Sequence, residues 1–419
     1  MSIITIIIVI IYLILIESLT TSPESNFAQN VTLEAPIELL NILSNYMNDP
    51  VQILNDVEIN LKDASMRKLP LFDPPIHRAN PPGKDAVIGL AAFKNFQNGF
   101  RRLIGSLRST LYDGHIILGV HKDISKVEID FLKRMDVTIY IIEFVECDKK
   151  ILENNEQVKG IIRGKCSIGL ENLKLEWGRY EMARQWLYDC INCTGWNLIM
   201  DTRDLFFQEN PFYGLGDPST SLINLYFSEE LSPNTSVDSH PIRSFIAGNA
   251  RNYQHVVPCY GIDNYKLYTN RAVLCSGTII GNKIGIKRFL NVLVHEFYKN
   301  NEKLNTKCRS PHTTDQWTMN YLYYNGYFGD NSHTITIPWG MGNVLTVGKA
   351  CMTKDRKTGA KDLIPRDHEG FLLNLYDNNK IAPIIHQFDR CGEWMYELFN
   401  SHPYIYKIDF EKAKVPWLK

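Results

Sequence analysis

The feature that most constrains this chain is an alternation of apolar runs and amphipathic segments between Asp85 and Met200. Short runs such as AVIGLAAF (86–93) and VTIYIIEF (137–144) have the composition of strands that are buried on both faces. The segments between them place their apolar side chains on one face, as helices do. Strands that alternate with helices predict an α/β sandwich with a mostly parallel central sheet.

The individual elements can be placed along this stretch. Ser125 is a residue type that caps helices, and Val127, Phe131, Leu132 and Met135 fall on one face of the helix predicted after it. We predict further helices over Phe96 to Thr110 and Tyr180 to Cys190, and strands over Ala86 to Phe93, His115 to Val120, Val137 to Phe144 and Trp196 to Met200.

The N-terminal run IITIIIVIIYLILI (3–16) carries no charge. As a helix it would span roughly 21 Å at about 1.5 Å per residue, which is short of the roughly 30 Å core of a bilayer. We therefore predict a signal peptide or short signal-anchor at 1–22, followed by a lumenal or extracellular chain. A Pro-rich polar stretch predicts a stem at 23–80, the α/β domain is expected at 81–400, and 401–419 is a C-terminal extension.

Composition agrees with a secreted or lumenal protein and argues against a nucleic-acid partner. The chain has 45 basic and 46 acidic side chains, without the basic excess of a duplex-binding protein. Three N-glycosylation sequons begin at Asn30, Asn192 and Asn234. Nine cysteines in an oxidising compartment should partly pair, and their odd number leaves at least one unpaired. For Cys190 and Cys193, a structural disulfide or buried thiols are favoured over a zinc or redox site, because no second CxxC is present.

Charged residues follow the strand that ends at Met200. Asp201, Arg203 and Asp204 come directly after it. In mostly parallel sheets ligands bind beyond the carboxyl ends of the strands. Carboxylates at such an edge suit a divalent cation, which prefers oxygen ligands and keeps positions open for phosphate. The alternative is a polar turn with an Asp–Arg salt bridge, and the spacing alone is compatible with both.

The segment WNLIMDTRDLFFQENPF (196–212) resembles the DxD region of GT-A glycosyltransferases, in which a strand runs into acidic residues that are followed by apolar ones. This chain has Asp-x-x-Asp instead. If its LFF matches the apolar residues of the family, Asp204 stands at the last, metal-binding Asp. Asp201 then lies near the first Asp, offset by one residue.

Three later segments resemble further landmarks of these enzymes, in the same order. CSGTIIG (275–281) resembles a small-residue turn in which Ser276 and Gly277 permit close approach to a ligand. TTDQWTMN (313–320) resembles a helix start at which Asp315 faces the acceptor or the sugar. IIHQFDR (384–390) resembles the strand and loop that bring His386 back to the metal. The alternatives are an ordinary turn, a plain helix cap with Thr314 as the capping residue, and a structural histidine.

The resemblance implies a GT-A Rossmann-like α/β/α sandwich that carries a hexosyltransferase-like, nucleotide-sugar-dependent enzyme. It implies Mn²⁺ (or Mg²⁺) as cofactor, with a His ligand favouring Mn²⁺. Its partners would be a nucleotide-sugar donor and a glycan, glycoprotein or glycolipid acceptor, in the Golgi or ER membrane or secreted. The site residues so implied are Asp201, Asp204 and His386 for the metal, Asp315 and Asp204 for catalysis, and Ala92, Phe93, Asp201, Arg203, Ser276 and Gly277 for the donor.

Several alternatives remain open from the sequence. Arg179 or Arg184 could pair with phosphate or with Asp201, or could be surface charges. A secreted glycoside hydrolase would also use two carboxylates but would need no metal. A non-catalytic lumenal binding protein on a degenerate GT-A fold would tolerate the irregular DxD spacing. A nucleotidyltransferase is less favoured, because no Gly-rich phosphate loop is present.

Overall fold

The computed structural model describes residues 73–146, 165–167, 175–231, 256–267, 269, 271–303, 315–329, 333–351, 364–392 and 408–418. The predicted leader, the sequons at Asn30 and Asn234 and the predicted cap at Thr314 lie outside these residues. Within them, no helix has the length and hydropathy needed to cross a bilayer.

A seven-stranded sheet forms the centre of the fold, in the order β10-β8-β9-β6-β1-β2-β3. Six strands run in one direction, and β9 is antiparallel to both of its neighbours. The predicted mostly parallel sheet is therefore confirmed. The strands are β1 (Ala86–Ala91), β2 (His115–His121), β3 (Val137–Ile142), β4 (Phe144–Glu146), β5 (Lys165–Ser167), β6 (Trp196–Asp201), β7 (Leu205–Phe207), β8 (Leu225–Glu229), β9 (Leu274–Asn282), β10 (Thr334–Ile337), β11 (Val344–Thr346) and β12 (Ile384–His386).

Helices cover both faces of this sheet, because its strands are apolar on both sides. On one face Ile88 and Ile199 pack in a core with Trp177 and Phe289; on the other, Val87, Leu198, Phe100 and Phe131 belong to a second core. The helices are α1 (Gln97–Ser109), α2 (Lys126–Arg134), α3 (Leu175–Asp189), α4 (Ile262–Lys266), α5 (Lys283–Lys303), α6 (Asp315–Tyr324) and α7 (Gly348–Cys351). This is the three-layer arrangement that the alternating pattern predicts.

A smaller sheet of order β11-β12-β7 packs beside the carboxyl end of β6. β12 is antiparallel to β7, so that His386 stands opposite Leu205. β11 is parallel to β12 and pairs Thr346 with His386. The pairing of β12 with β7 thus joins two segments that are 179 residues apart in the sequence (385 against 206 at the centre of the ladder).

Three predictions of local structure need correction. The strand expected to reach Phe144 ends at Ile142, and the chain continues as the separate strand β4. CSGTIIG (275–281) is not a turn but lies inside β9, where it pairs with β6 and β8. Val127, which was placed on the buried face of α2, is 49% exposed; it is the second residue of the helix, which begins at Lys126.

Both ends of the described chain pack against the domain. The backbone N–H of Ile76, in the predicted stem, donates to the Ile139 carbonyl at the edge strand β3. At the other end the Phe410 ring stacks on Phe131, and Trp417 Nε1 donates to Asp136 at 2.8 Å. The flanking segments therefore extend the core around β3 and α2.

Disulfides are present among the described cysteines, as expected for an oxidising compartment. Cys190 pairs with Cys193, and Cys351 pairs with Cys391, which closes a 40-residue separation. Cys275 is a buried free thiol. His115 lies within reach of the Cys190 and Cys193 sulfurs, but those two atoms are bonded to each other and are not thiolate ligands in this state.

The start of α2 gives a direct test of the local structure. Ser125 Oγ accepts from the Glu128 N–H, and the Glu128 carboxylate accepts from the Ser125 N–H at 3.0 Å, which completes a capping box. Ser125→Ala should lower the free energy of unfolding by about 1 kcal/mol. Urea denaturation measures the loss, and the exposed neighbour Lys126→Ala, expected to change stability by no more than about 0.5 kcal/mol, is the control. Equal effects of the two changes would contradict the cap.

Candidate metal centre

Three predicted ligands meet at the carboxyl edge of β6. Asp201 is the last residue of β6, and Asp204 directly precedes β7. Because β12 pairs with β7, His386 comes to the same place: its Nε2 lies 3.6 Å from Asp201 Oδ2 and 3.7 Å from Asp204 Oδ1. One ligand atom from each side chain falls within 4.8 Å of the others. The predicted constellation is therefore a spatial cluster.

The turn after β12 holds His386 in place. Gln387 adopts a left-handed conformation with φ of 61°, and its N–H donates to the Asp204 carbonyl at 2.7 Å. The disulfide between Cys351 and Cys391 fastens the following 3₁₀ turn (Phe388–Cys391) to α7. A backbone hydrogen bond and a disulfide in the segment after the histidine thus restrain its distance from Asp204.

The imidazole of His386 is oriented as a metal ligand would be. Its Nδ1 lies 3.3 Å from Cys275 Sγ and 3.5 Å from Thr346 Oγ1, which leaves Nε2 directed at the two carboxylates. Nε2 is buried and makes no hydrogen bond among the described residues. Burial would lower the pKa of His386, but Cys275, Asp204 and Glu230 outweigh it and raise that pKa. Metal-binding histidines use the second ring nitrogen in the same way, to fix the ring against a neighbouring group.

Gly277 forms the floor of the cluster. A Cβ built there would lie 2.4 Å from His386 Cε1 and 2.7 Å from Asp201 Oδ2. No other residue type fits this position while both side chains stay in place. The close approach expected of Gly277 is therefore an approach of the backbone to His386 and Asp201. One buried imidazole nitrogen without a hydrogen bond, two carboxylates and space kept by a glycine suit a divalent cation.

Arg179, on α3, connects the cluster to Asp315. Its guanidinium contacts Asp201 Oδ1 with one nitrogen and Asp315 Oδ2 with the other. Asp201 therefore gives one oxygen to Arg179 and turns the other, Oδ2, towards His386. Burial alone would lower the pKa of Arg179, but Tyr180 and Asp315 outweigh it and raise that pKa, so the guanidinium stays charged. Of the alternatives that the sequence left open for Arg179, the pairing with Asp201 is the one present.

Tyr180 supports the same link. Its hydroxyl lies 2.9 Å from the Ser276 carbonyl oxygen and 3.0 Å from Asp315 Oδ2. Burial raises the pKa of Tyr180 well above its ordinary value, so the hydroxyl keeps its proton and acts as a donor. Arg184, the other arginine considered, lies on a buried part of α3, where its Nε donates to Glu181 at 2.6 Å. It does not reach the cluster and is not a surface charge.

The remaining residues that were predicted to bind the nucleotide-sugar donor lie around this edge. Ala92 and Phe93 directly follow β1, whose Leu90 pairs with Asp201 in the sheet, and Phe93 is 40% exposed. The Arg203 side chain is 63% exposed, and one of its guanidinium nitrogens lies 3.4 Å from Asp389 Oδ2. The structure brings them to the same rim of the sheet, and their contact with a donor stays a prediction.

Sequence reasoning missed the partners of His386 and the role of Tyr180. Cys275 stands next to Ser276 in a segment already singled out, but nothing in its residue type pointed to an imidazole. Thr346 lies 40 residues before His386 and meets it only through the pairing of β11 with β12. These contacts depend on strand pairing, for which the single sequence carries no signal.

The floor of the cluster provides a test that needs no substrate. Gly277→Ala should abolish Mn²⁺ binding, because its Cβ would displace His386 or Asp201, and electron paramagnetic resonance of free Mn²⁺ measures the loss. Gly326→Ala is the control: a Cβ there meets nothing within 4 Å, although the φ of 75° makes the change strained. Retention of wild-type Mn²⁺ affinity in Gly277→Ala would contradict a metal centre at this place.

Two comparisons with known proteins found no match. A scan against models of protein families finds no match to the chain. A search of curated proteins finds no similar sequence. A function for the site therefore rests on its geometry and on the chemistry of the residues that the fold brings together.

Proposed function

We propose that this chain is a divalent-metal-dependent glycosyltransferase that moves a sugar from a nucleotide-diphosphate-sugar to a glycan, protein or lipid acceptor. The observation that carries the proposal is the buried His386 Nε2, which makes no hydrogen bond within the described part of the chain and faces Asp201 and Asp204 at the carboxyl edge of a mostly parallel sheet. In such sheets this edge is where nucleotide-bearing ligands bind. The GT-A resemblance of the segments that contain Asp204, Asp315 and His386 supports the same proposal.

The three side chains would hold Mn²⁺ or Mg²⁺, and an imidazole ligand favours Mn²⁺. When bound, the cation neutralises the charge that develops on a departing diphosphate. Asp201 is held by Arg179 so that only Oδ2 is free to serve as a ligand. Asp204 is 5% exposed, so its carboxylate acts in a poorly solvated place where electrostatic interactions are strong. Arg203 and the residues after β1, Ala92 and Phe93, form the rim available to the nucleotide-sugar.

Asp315 lies on the other side of Arg179 from the metal ligands. It begins α6, and its Oδ2 accepts a hydrogen bond from the Tyr180 hydroxyl and forms an ion pair with the Arg179 guanidinium. The side chain is 12% exposed, which leaves part of it open to an acceptor. We propose that Asp315 orients the acceptor hydroxyl, and that Arg179 keeps it at a constant distance from Asp201. The proposed setting is the lumen of the secretory pathway, as a Golgi or ER enzyme or a secreted one.

The proposal is tested first by a screen of nucleotide-sugars with Mn²⁺, in which slow hydrolysis of the donor is measured. One donor should turn over, and EDTA should stop the reaction. Asp204→Asn should lower the rate roughly 10³-fold, since charge stabilisation by a metal is worth several kcal/mol and each 1.36 kcal/mol is tenfold. Asp263→Asn, an aspartate whose side chain is 95% exposed, is the matched control and should keep the wild-type rate. Turnover that survives full chelation would point to the glycoside-hydrolase alternative.

Asp315 gives a second test that separates acceptor chemistry from metal binding. Asp315→Asn should reduce transfer to the acceptor roughly 10²-fold, the loss typical of a reacting group that is misplaced by about 1 Å. The Mn²⁺ affinity of this variant should change only a few-fold, because Asp315 is not among the ligands. Mn²⁺ titration and a transfer assay are read side by side. A variant that loses Mn²⁺ binding and transfer together would contradict the separate role of Asp315.

A further inference from the structure

The turn between α3 and β6 carries a second chemical motif that the proposed function does not use. Cys190, Ile191, Asn192, Cys193 and Thr194 form it, and the last three make an Asn-x-Thr sequon. Cys193 is fully buried and bonded to Cys190, whereas Asn192 and Thr194 are exposed. The disulfide thus holds the middle residue of the sequon inward, and the two side chains that define the sequon project into solvent.

This turn is held firmly by its backbone. The Thr194 N–H donates to the Asn192 carbonyl at 2.8 Å, and Lys283 Nζ donates to the carbonyls of Cys190 and Ile191 at 2.9 and 3.1 Å. None of these bonds uses the Asn192 amide or the Thr194 hydroxyl. The Asn192 amide and the Thr194 hydroxyl therefore lie on an ordered surface turn without taking part in the hydrogen bonds just described.

The position of the turn keeps it away from the metal centre. Asn192 precedes β6, and Asp201 ends it. A strand of this length spans roughly 17–20 Å, so a bulky group on Asn192 would leave the carboxyl edge open. Ile191 beside it is 80% exposed, so the surroundings of Asn192 are open to solvent.

From this geometry we infer that Asn192 is an N-glycosylation site and that the glycan covers the amino-terminal edge of the sheet, opposite the metal centre. In the modification, Asn192 Nδ2 forms a bond to the anomeric carbon of a lipid-diphosphate oligosaccharide and loses one proton. The bond from that carbon to the diphosphate breaks, and the lipid diphosphate leaves with the electron pair. The inference requires the lumenal passage that the leader predicts, and it does not depend on transferase activity.

The test is to express the full chain in a glycosylating eukaryotic cell and to release N-glycans enzymatically in heavy-oxygen water. Mass spectrometry of the peptide that contains Asn192 then reads its conversion to labelled Asp. Labelled Asp at Asn192 in most copies is the expected result. Thr194→Ala should remove this label and one glycan-sized step of electrophoretic mobility, while Thr194→Ser should keep both.

A separate measurement tests whether the glycan affects the metal centre. Asn192→Gln should lose the glycan and keep the wild-type Mn²⁺ affinity, because the turn and the ligands lie at opposite ends of β6. An Asn192 peptide found only in the unmodified form in the wild-type chain overturns the inference, whatever the state of the other sequons. Since peptide occupancy is read without any activity, failure of the glycan site and failure of the proposed transferase are distinguishable.

Discussion

The pairing of β12 with β7 is the interaction on which the site depends. β7 begins directly after Asp204, and the antiparallel register places His386 opposite Leu205. A slip of this register by one residue would turn the imidazole to the other face of the small sheet. The left-handed Gln387, its bond to the Asp204 carbonyl and the disulfide at Cys391 all restrain that register. Ligand geometry is thus set by backbone hydrogen bonds rather than by the ligands themselves.

Charge balance is the second organising constraint. The guanidinium of Arg179 contacts two of the three carboxylates of the site, Asp201 and Asp315, and Asp204 lies near His386 instead. Buried carboxylates repel one another and are stable only when paired or when they bind a cation. Arg179 pairs with Asp201 and Asp315, whereas the ion pairs of Asp204 and of Asp201 Oδ2 among the described residues are with His386. This distribution of charge is the physical argument for the proposed cation.

The two ends of β6 carry different features: the candidate metal centre lies at its carboxyl end, and the turn that contains Asn192 lies at its amino end. At the carboxyl end the strand delivers Asp201, while Gly277 on the neighbouring β9 leaves space for it. At the amino end the strand follows the disulfide-closed turn of Asn192. Because parallel strands align their carboxyl ends, a ligand site and a surface modification can occupy one domain without interfering. The same topology explains why Ala92 and Phe93, after β1, share the rim with Arg203.

The sequence by itself determined the layered α/β architecture, the parallel strands and the residue types of the cluster. Apolar runs buried on both faces leave few alternatives to a covered parallel sheet, and the acidic residues after Met200 had to fall at its carboxyl edge. The tertiary structure alone decided that 275–281 is a strand, that Arg179 rather than Arg184 reaches Asp201, and that Cys275 and Thr346 contact His386. These facts depend on which distant strands pair and in which register. Pairing energies are spread over many backbone bonds and side-chain contacts, so a local pattern of residues does not encode them.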